Sequence, residues 1–231
     1  MSVFNLIMKW SEVWPLLISL IIFLFYTQKE KEITIIAWLV LLTGLLHFLG
    51  TSISLYTYKF PDELKNNNAL YNLIAFLKPV FIGYYLLQLE QIKQYNYLKI
   101  IYAVFIIFFF INFIFIEDFS MFSSNMVIAE SILLLLFSLT FFLTVIIDDN
   151  IPLPVLHPAY FICAAIGLFE SINFFIYLFI FPVYNMNAEF ADLLMKVSGY
   201  AYIIYGLLLA TGFYVNRKDM RFFKSRKISN E

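Results

Sequence analysis

Residues 98–116 read LKIIYAVFIIFFFINFIFI, with Lys99 as the charged side chain near the start and no charge after it. A helix needs about 20 predominantly apolar residues to cross the hydrocarbon core of a bilayer. A single amide, Asn112, lies within the aromatic and aliphatic run that follows Lys99. The stretch therefore predicts a membrane-spanning α-helix, and an all-α integral membrane protein is the expected fold class.

The composition of the whole chain supports this interpretation. Of its 231 residues, 62% are hydrophobic and 13% are charged, and the mean hydropathy is +0.84. Soluble domains are about 45–50% apolar and about 25% charged, and one soluble core of this size cannot bury such an excess. The formal net charge of −1 lacks the basic excess of a nucleic-acid-binding domain. Membrane lipid, and not nucleic acid, is the expected partner.

Seven segments are apolar and long enough to count as expected spans of a single transmembrane domain. They are residues 13–27, 33–56, 69–89, 98–116, 126–147, 158–182 and 190–215, followed by a short basic tail at 216–231. Charged, asparagine-rich or proline-containing segments separate them. No segment sustains the period-two alternation of a membrane β-barrel, so a seven-helix bundle is predicted.

Lysine and arginine placement predicts the orientation, because cytoplasmic loops carry the excess of positive charge. The side of the tail carries Lys29, Lys31, Lys93, Lys99, Arg217, Lys218, Arg221, Lys224, Arg226 and Lys227, and the opposite side carries Lys9, Lys59 and Lys65. This asymmetry predicts an outside N-terminus and a cytoplasmic C-terminus. Within the tail, candidate contacts for anionic lipid head groups are Arg217, Lys218, Arg221 and Lys224. The alternative is that these residues act only as the topology signal.

Ionisable side chains inside the expected spans indicate a polar interior, since such groups are costly in lipid and usually face the bundle. Tyr71 precedes Lys78 by seven residues and Asn173 follows Glu170 by three, so each pair shares a helix face. We expect an outward-opening polar pocket, with helix–helix hydrogen bonding as the alternative role. The ligand-pocket candidates are His47, Tyr71, Lys78, Glu130, Glu170, Asn173, Tyr177, Lys196 and Tyr200.

Motifs of enzymes and metal sites are missing from the sequence. The chain has one cysteine, Cys163, and two histidines, His47 and His157. It has no phosphate-binding glycine loop, no HExxH zinc motif and no GxSxG nucleophile motif. We therefore expect no catalytic residues, no metal ligands and no resident cofactor.

Five short stretches carry a resemblance that covers nearly the whole chain. They are residues 68–72 (NALYN), 128–131 (IAES), 169–173 (FESIN), 202–206 (YIIYG) and 211–214 (TGFY). Across these five stretches the chain resembles small seven-helix inner-membrane proteins of Gram-negative bacteria. Those proteins are similar to the membrane-sensing portions of two-component signalling systems and carry no kinase domain. The chain departs from that pattern at Lys78 and Pro79, where an acidic residue is expected. The resemblance implies a sensor or accessory role in the inner membrane of a bacterium.

A second, local resemblance lies at residues 192–199 (DLLMKVSG), which are similar to the retinal-binding stretch of microbial rhodopsins. It implies a retinal Schiff base at Lys196 with Asp192 as its counter-ion. The chain departs from that family in its third span, which lacks the family's carboxylate and arginine pattern. Its sixth span also has no tryptophan.

The expected function is a non-enzymatic sensor or receptor-like module that binds a ligand in the polar pocket and signals through a membrane protein partner. The short basic tail carries no output domain, which is the reason for expecting that partner. The alternative is a structural or accessory subunit of a larger inner-membrane complex, which needs no pocket. A transporter or an intramembrane enzyme is a third class, and Pro79 is the one hint of the broken helices that transporters use.

Overall fold

The computed structural model describes residues 3–27, 30–56, 58, 66–147 and 157–216, and these ranges contain helices and no strand. The helices are α1 (Val3–Lys9), α2 (Trp14–Tyr26), α3 (Lys31–Leu55), α4 (Asn68–Gln88), α5 (Glu90–Lys93), α6 (Asn96–Ile111), α7 (Ser124–Ile147), α8 (Pro158–Met186) and α9 (Ala188–Val215). A π-helical turn at Asn112–Ile116 continues α6. The lipid head-group candidates Arg217, Lys218, Arg221 and Lys224 lie outside the described residues.

Six helices in the described part of the chain are long and apolar enough to cross a membrane, namely α3, α4, α6 with its π-helical turn, α7, α8 and α9. They overlap six of the seven expected spans. The remaining expected span, residues 13–27, corresponds to α2, which is apolar but has 13 residues. The structure therefore describes an all-helical membrane-embedded protein.

The side of α6 that faces away from the other helices is apolar and exposed. Ile100, Ile107 and Ile114 follow one another at intervals of seven residues and are 65%, 59% and 67% exposed. A contiguous exposed apolar stripe of this kind is unfavourable in water and favourable against lipid tails. This side of α6 therefore faces the hydrocarbon.

The other long helices and α2 form a closed ring. Around the ring, α2 packs on α3, α3 on α4, α4 on α7, α7 on α8, α8 on α9 and α9 on α2. The contact between α8 and α9 is the most extensive, and α6 lies outside the ring against α4 and α7. Each ring helix therefore has one side toward the centre, and the centre is where its polar side chains can be satisfied.

Small and hydroxyl side chains hold α2 against α9. Ser19 donates a hydrogen bond to the carbonyl of Gly206 at 2.7 Å, and Thr27 donates to the carbonyl of Phe213 at 2.9 Å. A Cβ on Gly206 would clash with the Cβ of Pro15 and lie 2.9 Å from its carbonyl carbon. Close backbone approach at small residues, with hydroxyl hydrogen bonds, is how helices associate where the solvent is lipid.

The loop between α6 and α7 is fastened to α4 by Asn72. The Nδ2 of Asn72 donates to the carbonyls of Phe119 and Met121, at 2.8 and 2.6 Å, and its Oδ1 accepts from the backbone N–H of Ser123 at 3.1 Å. The Ser123 hydroxyl in turn accepts from the N–H of Met126 at 3.2 Å. These bonds satisfy the start of α7 and set its height relative to α4.

Replacement of Gly206 by alanine should weaken the contact between α2 and α9, because Pro15 backbone atoms cannot move away without displacing α2. Overpacking of this kind costs about 1–3 kcal/mol. We expect a lower midpoint of thermal unfolding for G206A in detergent, measured by intrinsic fluorescence. The matched control is Gly44→Ala, whose added Cβ would meet nothing closer than 3.8 Å. Equal midpoints for the two variants would contradict the close contact.

Candidate functional site

A lysine held between two glutamates lies at the centre of the ring. The Nζ of Lys78 on α4 is 2.5 Å from the Oε1 of Glu130 on α7 and 3.0 Å from the Oε1 of Glu170 on α8. Their side chains are 9%, 2% and 2% exposed. Ser131 donates to the other carboxylate oxygen of Glu170 at 2.8 Å. We call Lys78, Glu130 and Glu170 the charge centre.

Lys78 thus forms buried ion pairs with both Glu130 and Glu170. A buried charge without a partner costs several kcal/mol, and a partner at hydrogen-bond distance offsets much of that cost. The Lys78 ammonium also lies 4.8 Å from the centre of the Phe169 ring, a contact that adds cation–π attraction. With one ammonium facing two carboxylates, the centre has more acidic than basic groups.

A second polar chain begins at Glu12, in the turn between α1 and α2. Its Oε2 is 3.0 Å from the Nδ1 of His47 on α3, and it accepts a hydrogen bond from the Tyr71 hydroxyl on α4 at 3.1 Å. The other ring nitrogen of His47, Nε2, is 2.7 Å from the Tyr202 hydroxyl on α9. Four segments that are far apart in sequence therefore meet in one hydrogen-bonded chain.

An inner cavity of about 50 Å³ joins this chain to the charge centre. A polar cavity of this volume is large enough to hold a small number of water molecules. Ser198 donates to the Asn173 side chain at 2.8 Å beside it. The polar residues that line the cavity are Glu12, His47, Tyr71, Lys78, Glu130, Glu170, Asn173, Tyr177, Ser198 and Tyr202.

A larger outer cavity of about 590 Å³ lies next to the inner one. The two cavities share Glu12, Tyr71 and Ser198 in their linings. The outer cavity lies where α1, the end of α3, the start of α4 and the first half of α9 meet. Its lining comprises Met8, Lys9, Ser11, Glu12, Thr51, Ser54, Leu55, Tyr71, Met195, Lys196, Ser198 and Gly199.

Most of the predicted pocket residues come together in the structure. His47, Tyr71, Lys78, Glu130, Glu170, Asn173 and Tyr177 line the inner cavity. Lys196 is exposed and lines the outer cavity, whereas Tyr200 is exposed and lines neither of the two. Asp192, the counter-ion implied by the rhodopsin resemblance, forms no ion pair with Lys196 among the described residues. Among the described residues, the buried lysine is Lys78, on α4.

Sequence reasoning missed Glu12, Ser198 and Tyr202. On α9 two polar stripes compete, and the one that faces the ring contains Ser198, Tyr202 and Tyr205, with 8%, 5% and 4% exposure. Spacing alone could not choose between this stripe and the one through Lys196, because both are polar. Glu12 precedes the first expected span and so was not counted among groups inside the membrane.

The described residues contain no cluster of three or more histidine, cysteine or acidic side chains suited to a metal ion. Comparison of the chain with known protein families, with curated proteins and with solved structures finds no match. The chemistry of the site therefore rests on its own geometry. That geometry is a charge centre, a hydrogen-bonded chain that leads away from it, and a cavity at the end of that chain.

Replacement of Lys78 by methionine should destabilise the protein strongly, because it leaves Glu130 and Glu170 buried together without a counter-charge. Breaking a buried ion pair in this way costs about 3–5 kcal/mol. The triple variant K78M/E130Q/E170Q should recover part of the loss, since no net charge then remains in the centre. The measurement is thermal unfolding in detergent. Lys99→Met, on the exposed surface of α6, is the control, and a K78M midpoint equal to that of the control would rule out the ion pairs.

Protonation of Glu12 provides a pH test. Burial alone would raise the pKa of this carboxyl, but the nearby His47 ring and the hydrogen bonds from His47 and Tyr71 hold the pKa below its ordinary value of 4.5. A carboxyl with a lowered pKa in the folded state stabilises the protein above its unfolded pKa. That stabilisation is lost as the pH falls through the folded pKa.

We therefore expect wild type to exceed the Glu12→Gln variant in thermal stability at about pH 7, and the difference to shrink as the pH falls below 4.5. Unfolding midpoints of both proteins across this range give the measurement. Asp192→Asn, which removes an exposed carboxylate, is the control and should change little at any pH. A wild-type advantage that stays constant with pH would contradict the role of the Glu12 charge.

Proposed function

We propose that the chain is a non-enzymatic, receptor-like membrane sensor. A small ligand binds in the outer cavity and changes the hydrogen bonds of Glu12 and Tyr71. The change reaches the charge centre through the inner cavity and alters how the ring helices pack. A membrane protein partner binds the chain differently in the two packing arrangements. The resemblance to membrane-sensing modules of bacterial signalling systems is consistent with this role.

The observation that carries the proposal is the continuity between the two cavities. Glu12 and Tyr71 line both cavities. Glu12 is also hydrogen-bonded to Tyr71 and to His47, and His47 is hydrogen-bonded to Tyr202. A ligand that displaces either shared side chain therefore acts on α3, α4 and α9 together. A ligand shifts a conformational equilibrium only if it binds one state better than the other. Shared hydrogen-bonding residues are a physical means for such a preference.

The polar interior is confined to one half of the ring, which favours a receptor over a transporter. Beyond Lys78 the ring is filled with buried apolar side chains on several helices, among them Leu39, Leu86, Phe137, Phe141 and Phe213. Hydroxyl groups in that half bond to the backbone, as Ser138 does to the carbonyl of Cys163 at 2.8 Å. A transport path needs polar access from both sides around a central site. The described part of the chain supplies it from one side.

The proposed topology places the outer cavity outside the cell. In this topology the short helix α2 is the seventh membrane crossing. It occupies the place in the ring between α3 and α9. The N-terminus lies outside and the C-terminus in the cytoplasm, as the lysine and arginine asymmetry indicates, and the resemblance favours a bacterial inner membrane. The cavity forms at the end of the bundle that holds the start of α2 and the end of α3, which is then the outer end.

Co-purification from native membranes tests the proposal. Tagged wild type and the charge-neutral K78M/E130Q/E170Q variant are cross-linked in the membrane, purified and quantified by mass spectrometry. A receptor should recover a membrane protein partner whose amount differs by about fivefold or more between the two, the lower end of typical allosteric coupling. Ser138→Ala changes a buried hydrogen bond away from both cavities and should match wild type.

Two other outcomes would overturn the receptor proposal. A partner recovered at fixed stoichiometry with all three proteins would identify an accessory subunit of a larger complex, in which the charge centre serves the fold alone. The absence of any partner, together with an unchanged growth phenotype of the charge-neutral variant, would exclude signalling through a partner.

A further inference from the structure

Two lysines without partners line the outer cavity. Lys9 is the last residue of α1 and Lys196 lies in the first half of α9, and both side chains are exposed. Neither forms an ion pair or a hydrogen bond with another described residue, in contrast to Lys78 and Lys99. An ammonium group with no internal partner, facing a cavity, is available to a ligand.

Glu12 is the third charged residue of this lining, and its carboxylate already has hydrogen-bonding partners within the protein. Its Oε2 interacts with the His47 ring and accepts from the Tyr71 hydroxyl. The described lining therefore presents two free positive charges and no free negative one. A concave site with one sign of charge concentrates ligands of the opposite sign.

The rest of the lining indicates the other properties of the ligand. Hydroxyl groups come from Ser11, Thr51 and Ser198, while Met8 and Met195 provide flexible apolar walls. Thioether side chains adapt to ligands of varied shape. The volume of about 590 Å³ lies within the usual range of about 300–1,000 Å³ for small-molecule sites.

Gly199 fixes how closely α1 covers this cavity. A Cβ on Gly199 would lie 3.0 Å from the Ser11 hydroxyl oxygen and 3.4 Å from the terminal methyl of Met8. The missing side chain therefore lets the end of α1 and the turn after it pack directly on α9. This contact brings Lys9 and Lys196 to the same cavity.

We propose that the outer cavity binds an anionic ligand, with a carboxylate or phosphate head held by Lys9 and Lys196 and a short apolar body against the methionines. The two lysine side chains are the recognition elements, and the hydroxyl groups donate the remaining hydrogen bonds. As the identity of the sensed ligand, this inference rests on the proposed receptor function. The same head-group chemistry occurs in free metabolites and in anionic lipids, and the experiment separates these two sources.

The test uses the full chain in nanodiscs of phosphatidylcholine. Hexanoate, hexyl phosphate, hexylammonium and hexanol share one apolar body and differ in head group. Microscale thermophoresis measures the binding of each. Wild type should bind hexanoate and hexyl phosphate about tenfold more tightly than hexylammonium, because two partly solvated charge contacts contribute about one power of ten in affinity.

A second set of nanodiscs contains phosphatidylglycerol in addition. If the natural ligand is a lipid head group, this lipid should compete with hexyl phosphate, and native mass spectrometry should detect it on the protein. If the ligand is a free anion, hexanoate affinity should be the same in both nanodiscs. Either result supports an anion site and assigns its source.

Variants then show whether the lysines are responsible. Lys9→Gln with Lys196→Gln should weaken hexanoate binding about five- to tenfold and leave hexanol binding unchanged. Lys9→Arg with Lys196→Arg should retain binding, since the charge is kept. Lys31→Gln, an exposed lysine at the opposite end of α3, is the matched control. Because Lys9 and Lys196 have no described partner, the glutamine variants should unfold at the wild-type temperature, which shows that they fold.

Several results would overturn the assignment. Tighter binding of hexylammonium than of hexanoate would show that the cavity selects cations, and the receptor proposal would stand with a different ligand class. Unchanged hexanoate affinity in the double glutamine variant would place anion binding elsewhere. No binding of any probe to wild type would refute the anion site. The receptor proposal is judged separately, by whether partner recovery depends on the charge centre.

Discussion

The structure depends on keeping the Lys78 ammonium between the carboxylates of Glu130 and Glu170. Each of these groups belongs to a different helix, and each is almost fully buried at the centre of a protein surrounded by lipid. An unpaired charge buried there would be costly. The heights and rotations of α4, α7 and α8 are therefore constrained together, because a shift of one helix would separate a pair. The cavities are arranged around this fixed point.

Apolar surface does not drive the ring helices together, since lipid tails are as apolar as leucine. What distinguishes the ring contacts is close approach and polar bonding, as where Gly206 meets Pro15 and Ser19 donates to the Gly206 carbonyl. The outer helix α6 offers its aliphatic side to lipid, yet its Tyr102 hydroxyl donates to the Val80 carbonyl of α4 at 2.9 Å. Such bonds fix neighbours where hydrophobicity cannot select them.

The polar interior extends from the charge centre toward one end of the ring, where the outer cavity lies. Fixed charges lie deepest, a chain of hydrogen bonds from His47 and Tyr71 leads outward, and the outer cavity ends at two lysines whose charges no described residue neutralises. The other half of the ring is packed with aromatic and aliphatic side chains. This difference between the two halves of the ring is the feature from which the receptor proposal is argued.

The sequence by itself determined the all-helical membrane fold and most of the polar residues that line the inner cavity, since apolar length and the cost of buried charge act locally along the chain. It also indicated that Lys78, Glu130 and Glu170 belong to a polar interior. Only the tertiary structure decided that α9 turns Ser198 and Tyr202 inward and Tyr200 outward, and that Glu12 reaches His47. These choices depend on contacts between segments far apart in the chain. Two polar stripes on one helix are equivalent until neighbouring helices provide partners for one of them.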